Sequence, residues 1–218
     1  METREWNALL WVCVRAGEVR KAEELLAALP TRSEASVAVA GASGSVASST
    51  GPQPGPDAKS FNTVLHAYVP DWAGGESFEQ RVARAEVLLE RMAATGVARD
   101  DATYRALVDL HQYDAPRVLA LLSEAESAGC ELSSQTYGKV ARSLWWARRA
   151  DEASSLSGRM VERGVEPSAA FYARSIVAAE SVGLLDDADR LHREASQRGL
   201  QPRTKQRRSL TVAAAVRG

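Results

Sequence analysis

Cysteine is scarce in this 218-residue chain: Cys13 and Cys130 are the only two. Neither has a second Cys or a His at ligand spacing, which argues against a disulfide framework or a zinc site and makes a reducing compartment the expected setting. Histidine is nearly as rare. His66, His111 and His192 fall in three different segments and read as structural or groove residues rather than catalysts. Charge of one sign is also missing. The 27 Lys and Arg against 28 Asp and Glu leave a net charge of −1, so no overall positive field draws the chain to a polyanion or a membrane. Contact with an anion must then come from a local basic face. No apolar run reaches transmembrane length. The opening METREWNALLWVCVRAGEVRKAEELLAAL enters a helical pattern within a few residues and has no signal-peptide or transit-peptide character. Such a chain is expected in cytosol or nucleus, unless a leader lies outside this sequence. Paired carboxylates, Ser-His-Asp or Cys-His sets and phosphate loops are not found. No catalytic residue, metal, cofactor or small-molecule substrate is therefore expected.

What the chain does have is internal repetition. The segments TREWNALLWVC, KSFNTVLHAYV, DATYRALVDLH, SQTYGKVARSL and AAFYARSIVAA each carry an aromatic residue followed by apolar or small residues three, four and seven places on. Trp6 leads to Leu9, Leu10 and Cys13, Phe61 to Val64, Leu65 and Tyr68, and Tyr137 to Val140, Ala141 and Leu144. That spacing sets the group on one helical face. A second stripe follows each first one, as in Ala85, Leu88, Leu89 and Met92, or Ala153, Leu156, Ser157 and Met160. The last four second helices end at Gly96, Gly129, Gly164 and Gly199, spaced 33, 35 and 35 residues apart. No single helix pair can bury its stripe alone, so the pairs must stack. The expected units span 3–57, 58–100, 101–133, 134–168 and 169–203, and a basic tail or partial helix covers 204–218.

Two interruptions break the period. Residues 31–56 are rich in small residues, Gly, Ser and Pro, and predict a disordered insertion. A smaller insertion around VPDWAGGESFEQ lengthens the turn inside the second unit.

Helical periods near 34 residues suit both tetratricopeptide and pentatricopeptide (PPR) repeats. The tetratricopeptide series Trp-Leu-Gly-Tyr is absent. The openings Ser60-Phe61-Asn62-Thr63, Thr103-Tyr104 and Thr136-Tyr137 resemble the PPR opening Thr-Tyr-Asn-Thr-Leu-Ile. The runs Ala85-Glu86-Val87-Leu88-Leu89-Glu90-Arg91-Met92 and Met160-Val161-Glu162-Arg163-Gly164-Val165-Glu166-Pro167 resemble its second half. The resemblance covers nearly the whole chain. It implies an all-α, right-handed solenoid of about five helix-turn-helix PPR-type repeats that binds single-stranded RNA, roughly one base per repeat.

The resemblance also implies where bases are read. The residue after the first-helix aromatic faces the base edge and works with the residue that closes the repeat. In the second repeat these are Asn62 and Asp100, and in the first Asn7 and Asp57, a pair that by resemblance prefers uridine. The third repeat offers Arg105 with Ser133. The fourth, Gly138 with Ser168, and the fifth, Ala173 with Arg203, lack an edge-reading side chain. The sandwiching position three residues before each reader holds Arg4, Lys59, Ala102, Gln135 and Ala170. The family's basic residue near the end of the first helix is matched by Arg15, while Trp146 and Ser181 occupy that place in repeats four and five. Arg4, Arg15, Lys59 and Arg142, with the C-terminal Arg203, Lys205, Arg207 and Arg208, are the candidate phosphate contacts. Of the adjacent Trp145 and Trp146, one is expected to pack inward.

The resemblance implies a non-catalytic RNA-binding repeat protein in organelle RNA processing, stability, editing or translation. A mitochondrial or chloroplast location comes from the resemblance alone. Some PPR proteins carry an added metallonuclease domain, and nothing after Arg203 is long enough to be one. The alternative class is a protein-interaction scaffold or a subunit of a larger ribonucleoprotein, which the near-neutral charge and the degenerate repeats favour.

Overall fold

The computed structural model describes residues 3–29, 55–69 and 75–203. Among the described residues there are ten α-helices and no strand. In chain order they are α1 (Thr3–Arg15), α2 (Val19–Ala28), α3 (Ala58–His66), α4 (Phe78–Ala94), α5 (Asp101–Leu110), α6 (Ala115–Ser127), α7 (Ser134–Trp146), α8 (Ala150–Glu162), α9 (Ala169–Ser181) and α10 (Leu185–Gln197). Short polar residues start many of them. Asp57, Ser77, Asp114, Ser133 and Ser168 each accept a backbone N–H of the first turn, and Asp57 with Ser60 and Ser77 with Gln80 form reciprocal capping boxes. Glycine ends several. Gly96 has φ +70°, and Val97 N donates to Met92 O at 3.0 Å, closing the last turn of α4.

The chain divides into two compact units, Met1–Leu110 and His111–Gly218. In the first, α1 packs on α2 and α3, and α3 packs on α4 and α5. In the second, α6 packs on α7, α7 on α8 and α9, and α9 on α10. The opening helices of successive repeats therefore lie side by side, α1 on α3 on α5 in one unit and α7 on α9 in the other.

The apolar stripes form the cores. Phe61, Val64, Leu65 and Tyr68 are buried in the first unit, as are Tyr137, Val140, Ala141 and Leu144, and Tyr172, Ser175, Ile176 and Ala179, in the second. The first repeat departs from the expected pattern. Leu9 is 39% exposed and Trp6 and Cys13 are half-buried, while Asn7, Leu10 and Val14 are buried. The face α1 turns toward the core is thus one residue removed from the one its aromatic marks. Of the tryptophan pair, Trp145 is fully buried and Trp146 half-buried.

Second helices are laced to their neighbours by ion pairs. Arg84 on α4 reaches Glu23 on α2 at 2.6 Å, and the Tyr68 hydroxyl donates to the same carboxylate. Glu126 on α6 accepts from Tyr137 at 2.9 Å and from Arg159 on α8, with Arg163 at 3.3 Å. Burial first, and then the hydrogen bond to Glu126, pushes the Tyr137 phenol up to about 12, so it remains a donor at neutral pH.

Gly55 and Pro56, which composition places inside the disordered insertion, are buried, and Thr3 Oγ1 donates to Gly55 O at 3.3 Å. The chain is tied down here because it must deliver Asp57 to the start of α3. Residues 31–54 of that insertion, residues 70–74 of the smaller one and residues 204–218 lie outside the described residues, and with them Lys205, Arg207 and Arg208.

Two substitutions test this packing. Leu156→Ala removes a side chain that is 1% exposed and is expected to cost about 2–5 kcal/mol in chemical denaturation; a change within error would show that the stripe is misassigned. Arg148, between α7 and α8, has φ +58°, where Gly17 and Gly183 stand at the matching turns with φ +76° and +79°. Arg148→Gly relieves that strain and is expected to stabilise by up to about 1 kcal/mol, with the loss of the 2.6 Å bond from Arg148 to Val182 O as the opposing effect. A lower denaturation midpoint would contradict this.

Candidate functional site

One carboxylate starts α5 and also holds the side chain that the preceding repeat presents. Asp100 Oδ1 accepts from Thr103 N at 2.9 Å, capping the helix, and Asp100 N donates back to Thr103 Oγ1 at 3.2 Å. The same Oδ1 accepts from Asn62 Nδ2 on α3 at 2.9 Å. The Thr103 hydroxyl lies 2.7 Å from Asn62 Oδ1 and 2.9 Å from Asp100 Oδ1, and shares one proton between them. Because an ionised carboxylate only accepts, the amide atom facing Asp100 must be the NH2 group and the atom facing Thr103 the carbonyl oxygen. The amide orientation is therefore fixed by its surroundings. One N–H and one oxygen lone pair remain for a ligand.

Burial alone raises the Asp100 pKa, but the hydrogen bonds from Thr103 N, Asn62 and the Thr103 hydroxyl outweigh it, and the carboxyl sits below its ordinary value of 3.8.

The first repeat builds the same arrangement with different residues. Asn7 Nδ2 donates to both oxygens of Asp57 at 3.2 and 3.3 Å, and the Ser60 hydroxyl lies 2.6 Å from Asn7 Oδ1 and 2.8 Å from Asp57 Oδ1. The long insertion between Asn7 and Asp57 does not disturb the pairing. Both amides are nearly buried, Asn7 at 7% and Asn62 at 6% exposure, while Asp57 and Asp100 are exposed.

Asn62 opens onto a cleft of about 550 Å³ in the first unit. Trp11, Val14 and Arg15 of α1 wall one side, Lys59, Thr63 and His66 of α3 line the floor, and Asp100 and Ala102 close the other side. The Arg15 guanidinium stands 5.3 Å from the Trp11 ring centroid, a cation-on-aromatic contact beside the amide. Lys59 and Ala102, both expected from the resemblance at sandwiching positions, border this cleft.

The other expected site residues are placed differently. Arg105 is bound within its own helix by Asp101 at 3.0 Å, and Ser133 caps α7 through Thr136 N at 3.3 Å. Arg4 and Arg203 are exposed. Arg142, expected on a phosphate-gripping face, lies 4.9 Å from the Trp146 ring centroid and donates to Gln112 at 3.1 Å. In the fourth repeat the network is replaced. Ser134 Oγ donates to Ser168 Oγ at 2.8 Å, Phe171 stands where Thr103 or Ser60 stands elsewhere, and a Cβ on Gly138 would lie 3.5 Å from Phe171 Cα.

Sequence reasoning missed Ser60, Thr103 and Trp11, while His66, read as a structural or groove residue, lines the cleft. The first two carry a legible signal, an Asp followed three places on by Ser or Thr at a helix start. Among the described residues no helix is long and apolar enough to cross a membrane, and no group of three or more His, Cys, Asp or Glu is placed to hold a metal ion.

A family model of the PPR repeat matches residues 6–31, the span that contains Asn7. The chain therefore contains one stretch that matches the PPR repeat. Its fold is that of solved PPR solenoids. The PPR domain of Arabidopsis thaliana protein-only RNase P 1, solved in complex with tRNA, is 16% identical with a TM-score of 0.59, over 96% of this chain and 93% of that one. PPR10 from maize is 23% identical with a TM-score of 0.63, over 93% of this chain and 25% of PPR10. PPR10 in complex with an 18-nt psaJ RNA element gives 20% identity and a TM-score of 0.58, over 93% of this chain and 29% of that one. The chain thus spans about a quarter of the length of PPR10. No curated protein matches it.

Thr103→Val keeps the shape of the side chain and deletes its hydroxyl. It is expected to lower stability by about 1–2 kcal/mol and to free the Asn62 amide, read as loss of its slowly exchanging side-chain proton pair. Since the Asp100 pKa is depressed by folding, the stability this network supplies is full above pH 3.8 and is lost as pH falls through the lower folded value. Unchanged Asn62 amide exchange in Thr103→Val would show that the hydroxyl does not hold it.

Proposed function

We propose that this PPR chain is a non-catalytic, single-stranded RNA-binding protein in which Asn7 and Asn62 each address one base. The observation that carries this reading is the repeated Asn–Asp–Ser/Thr network, which at Asn62 presents an oriented donor and acceptor to an open cleft with basic and aromatic walls. A uracil edge offers carbonyl oxygens and one N–H, which match the free N–H and lone pair of the held amide. Lys59 and Arg15, with Arg4, Arg203, Lys205, Arg207 and Arg208, supply the phosphate contacts. The complexes of PPR10 with an RNA element and of the RNase P 1 PPR domain with tRNA support RNA as the ligand class. The setting we infer, on the ground of the family, is RNA processing, stability, editing or translation in a mitochondrion or chloroplast.

The test is binding of labelled oligoribonucleotides of uridine, cytidine and adenosine, against duplex RNA, at two salt concentrations. Uridine-rich single strands are expected to bind best, with affinity falling as salt rises because each phosphate contact releases counterions. Asn62→Ala is expected to reduce the uridine preference roughly 2- to 10-fold while keeping most of the affinity, because edge contacts specify and phosphate contacts hold. Binding with an unchanged preference in Asn62→Ala would remove the reading role. No binding to any single strand at low salt would move the chain to the class of protein-interaction scaffolds.

A further inference from the structure

The second unit lacks edge-reading amides, yet it carries an aromatic assembly at the same helical register that walls the cleft of the first. In α1 that wall is Trp11 and Arg15, eight and twelve residues after the helix start at Thr3. In α7 the equivalent positions, eight and twelve residues after Ser134, are Arg142 and Trp146. The two chemistries are the same and their order is exchanged. Arg142 stands 4.9 Å from the Trp146 ring centroid, as Arg15 stands 5.3 Å from that of Trp11. A third group is added here. The Tyr113 ring stacks on Trp146 with centroids 5.6 Å apart and planes 16° from parallel, and Tyr113 is 79% exposed.

We infer that Tyr113, backed by Trp146 and Arg142, is a stacking platform for one unpaired nucleobase of single-stranded RNA, so that the second unit holds RNA by base faces where the first reads base edges. The inference rests on RNA being the ligand of this chain. Three features make the ring a platform rather than packing. Its exposure leaves it open to solvent, which a core aromatic is not. Its ring lies nearly parallel to Trp146, the offset-stacked arrangement that a further flat ring extends. The Arg142 guanidinium on Trp146 adds positive charge beside the stack, and every base has a π-face, so the platform needs no edge-reading residue. Gly138 and Ala173, which have no edge-reading group, are consistent with a unit that grips without discriminating.

The experiment compares wild type, Tyr113→Ala and Tyr113→Phe for binding to uridine, cytidine and adenosine oligoribonucleotides across a salt series. Tyr113→Ala is expected to weaken all three roughly 5- to 150-fold, the range seen for removing one base-stacking aromatic. The slope of log affinity against log salt should stay as in wild type, because no phosphate contact is removed. Tyr113→Phe should bind as wild type does. Tyr113 lies in a turn and is exposed, so the far-ultraviolet circular dichroism of both variants should match wild type. Wild-type binding that Tyr113→Ala leaves unchanged overturns the platform and spares the RNA reading. A loss confined to one base, or a changed salt slope, also overturns it. Absence of wild-type binding overturns both readings together.

Discussion

The carboxylate of the residue that starts a first helix serves two repeats at once. Asp100 caps α5 and holds the Asn62 amide of α3, and Asp57 caps α3 and holds the Asn7 amide of α1. Helix capping is a local requirement, since the first turn leaves backbone N–H groups without partners. Here the same oxygen that meets it also ties each repeat to the one before. The side-by-side packing of α1, α3 and α5 then fixes the spacing between successive amides. Stability and presentation of the site are thus not separate properties in the first unit. A substitution that weakens the cap also loosens the amide.

The second unit is built without that device. Phe171 occupies the third position of α9, so no hydroxyl is available there to hold an amide, and glycine stands at position 138. The repeats are joined instead by Ser134 to Ser168, by the buried Glu126 with its arginines, and by full burial of Tyr137, Trp145 and Tyr172. Apolar packing and convergent ion pairs replace the polar network as the link between repeats. This unit is therefore well packed without an amide network, and Tyr113, stacked on Trp146, stands exposed at its surface.

Much of this was legible in the sequence, for physical reasons. Stripes such as Phe61, Val64, Leu65 and Tyr68 repeat because burial on a helix demands that spacing, and Gly96 marks a stop because its backbone conformation excludes most side chains. The pairing of Asn62 with Asp100 was visible through the family pattern. The rotation of α1 was not, since Trp6 at the aromatic position suggests a face that Leu10 and Val14 in fact supply. Nor was the tether at Gly55, where composition speaks for disorder and only the need to deliver Asp57 speaks against it. The hydroxyls of Ser60 and Thr103 were present as capping signals, but their second role depends on a neighbour about 40 to 50 residues distant in sequence, a relation that only the fold reveals.

Base reading by Asn62, as proposed, requires that Thr103 and Asp100 hold its amide in one orientation. A double-mutant cycle on uridine-over-adenosine discrimination, using Asn62→Ala, Thr103→Val and the pair together, tests it most directly. If the network orients the reader, Thr103→Val alone lowers discrimination, and adding it to Asn62→Ala changes nothing further, because the group it positions is already gone. If the two effects simply add, or Thr103→Val leaves discrimination at the wild-type level, the network is a helix cap and not the determinant of what this protein reads.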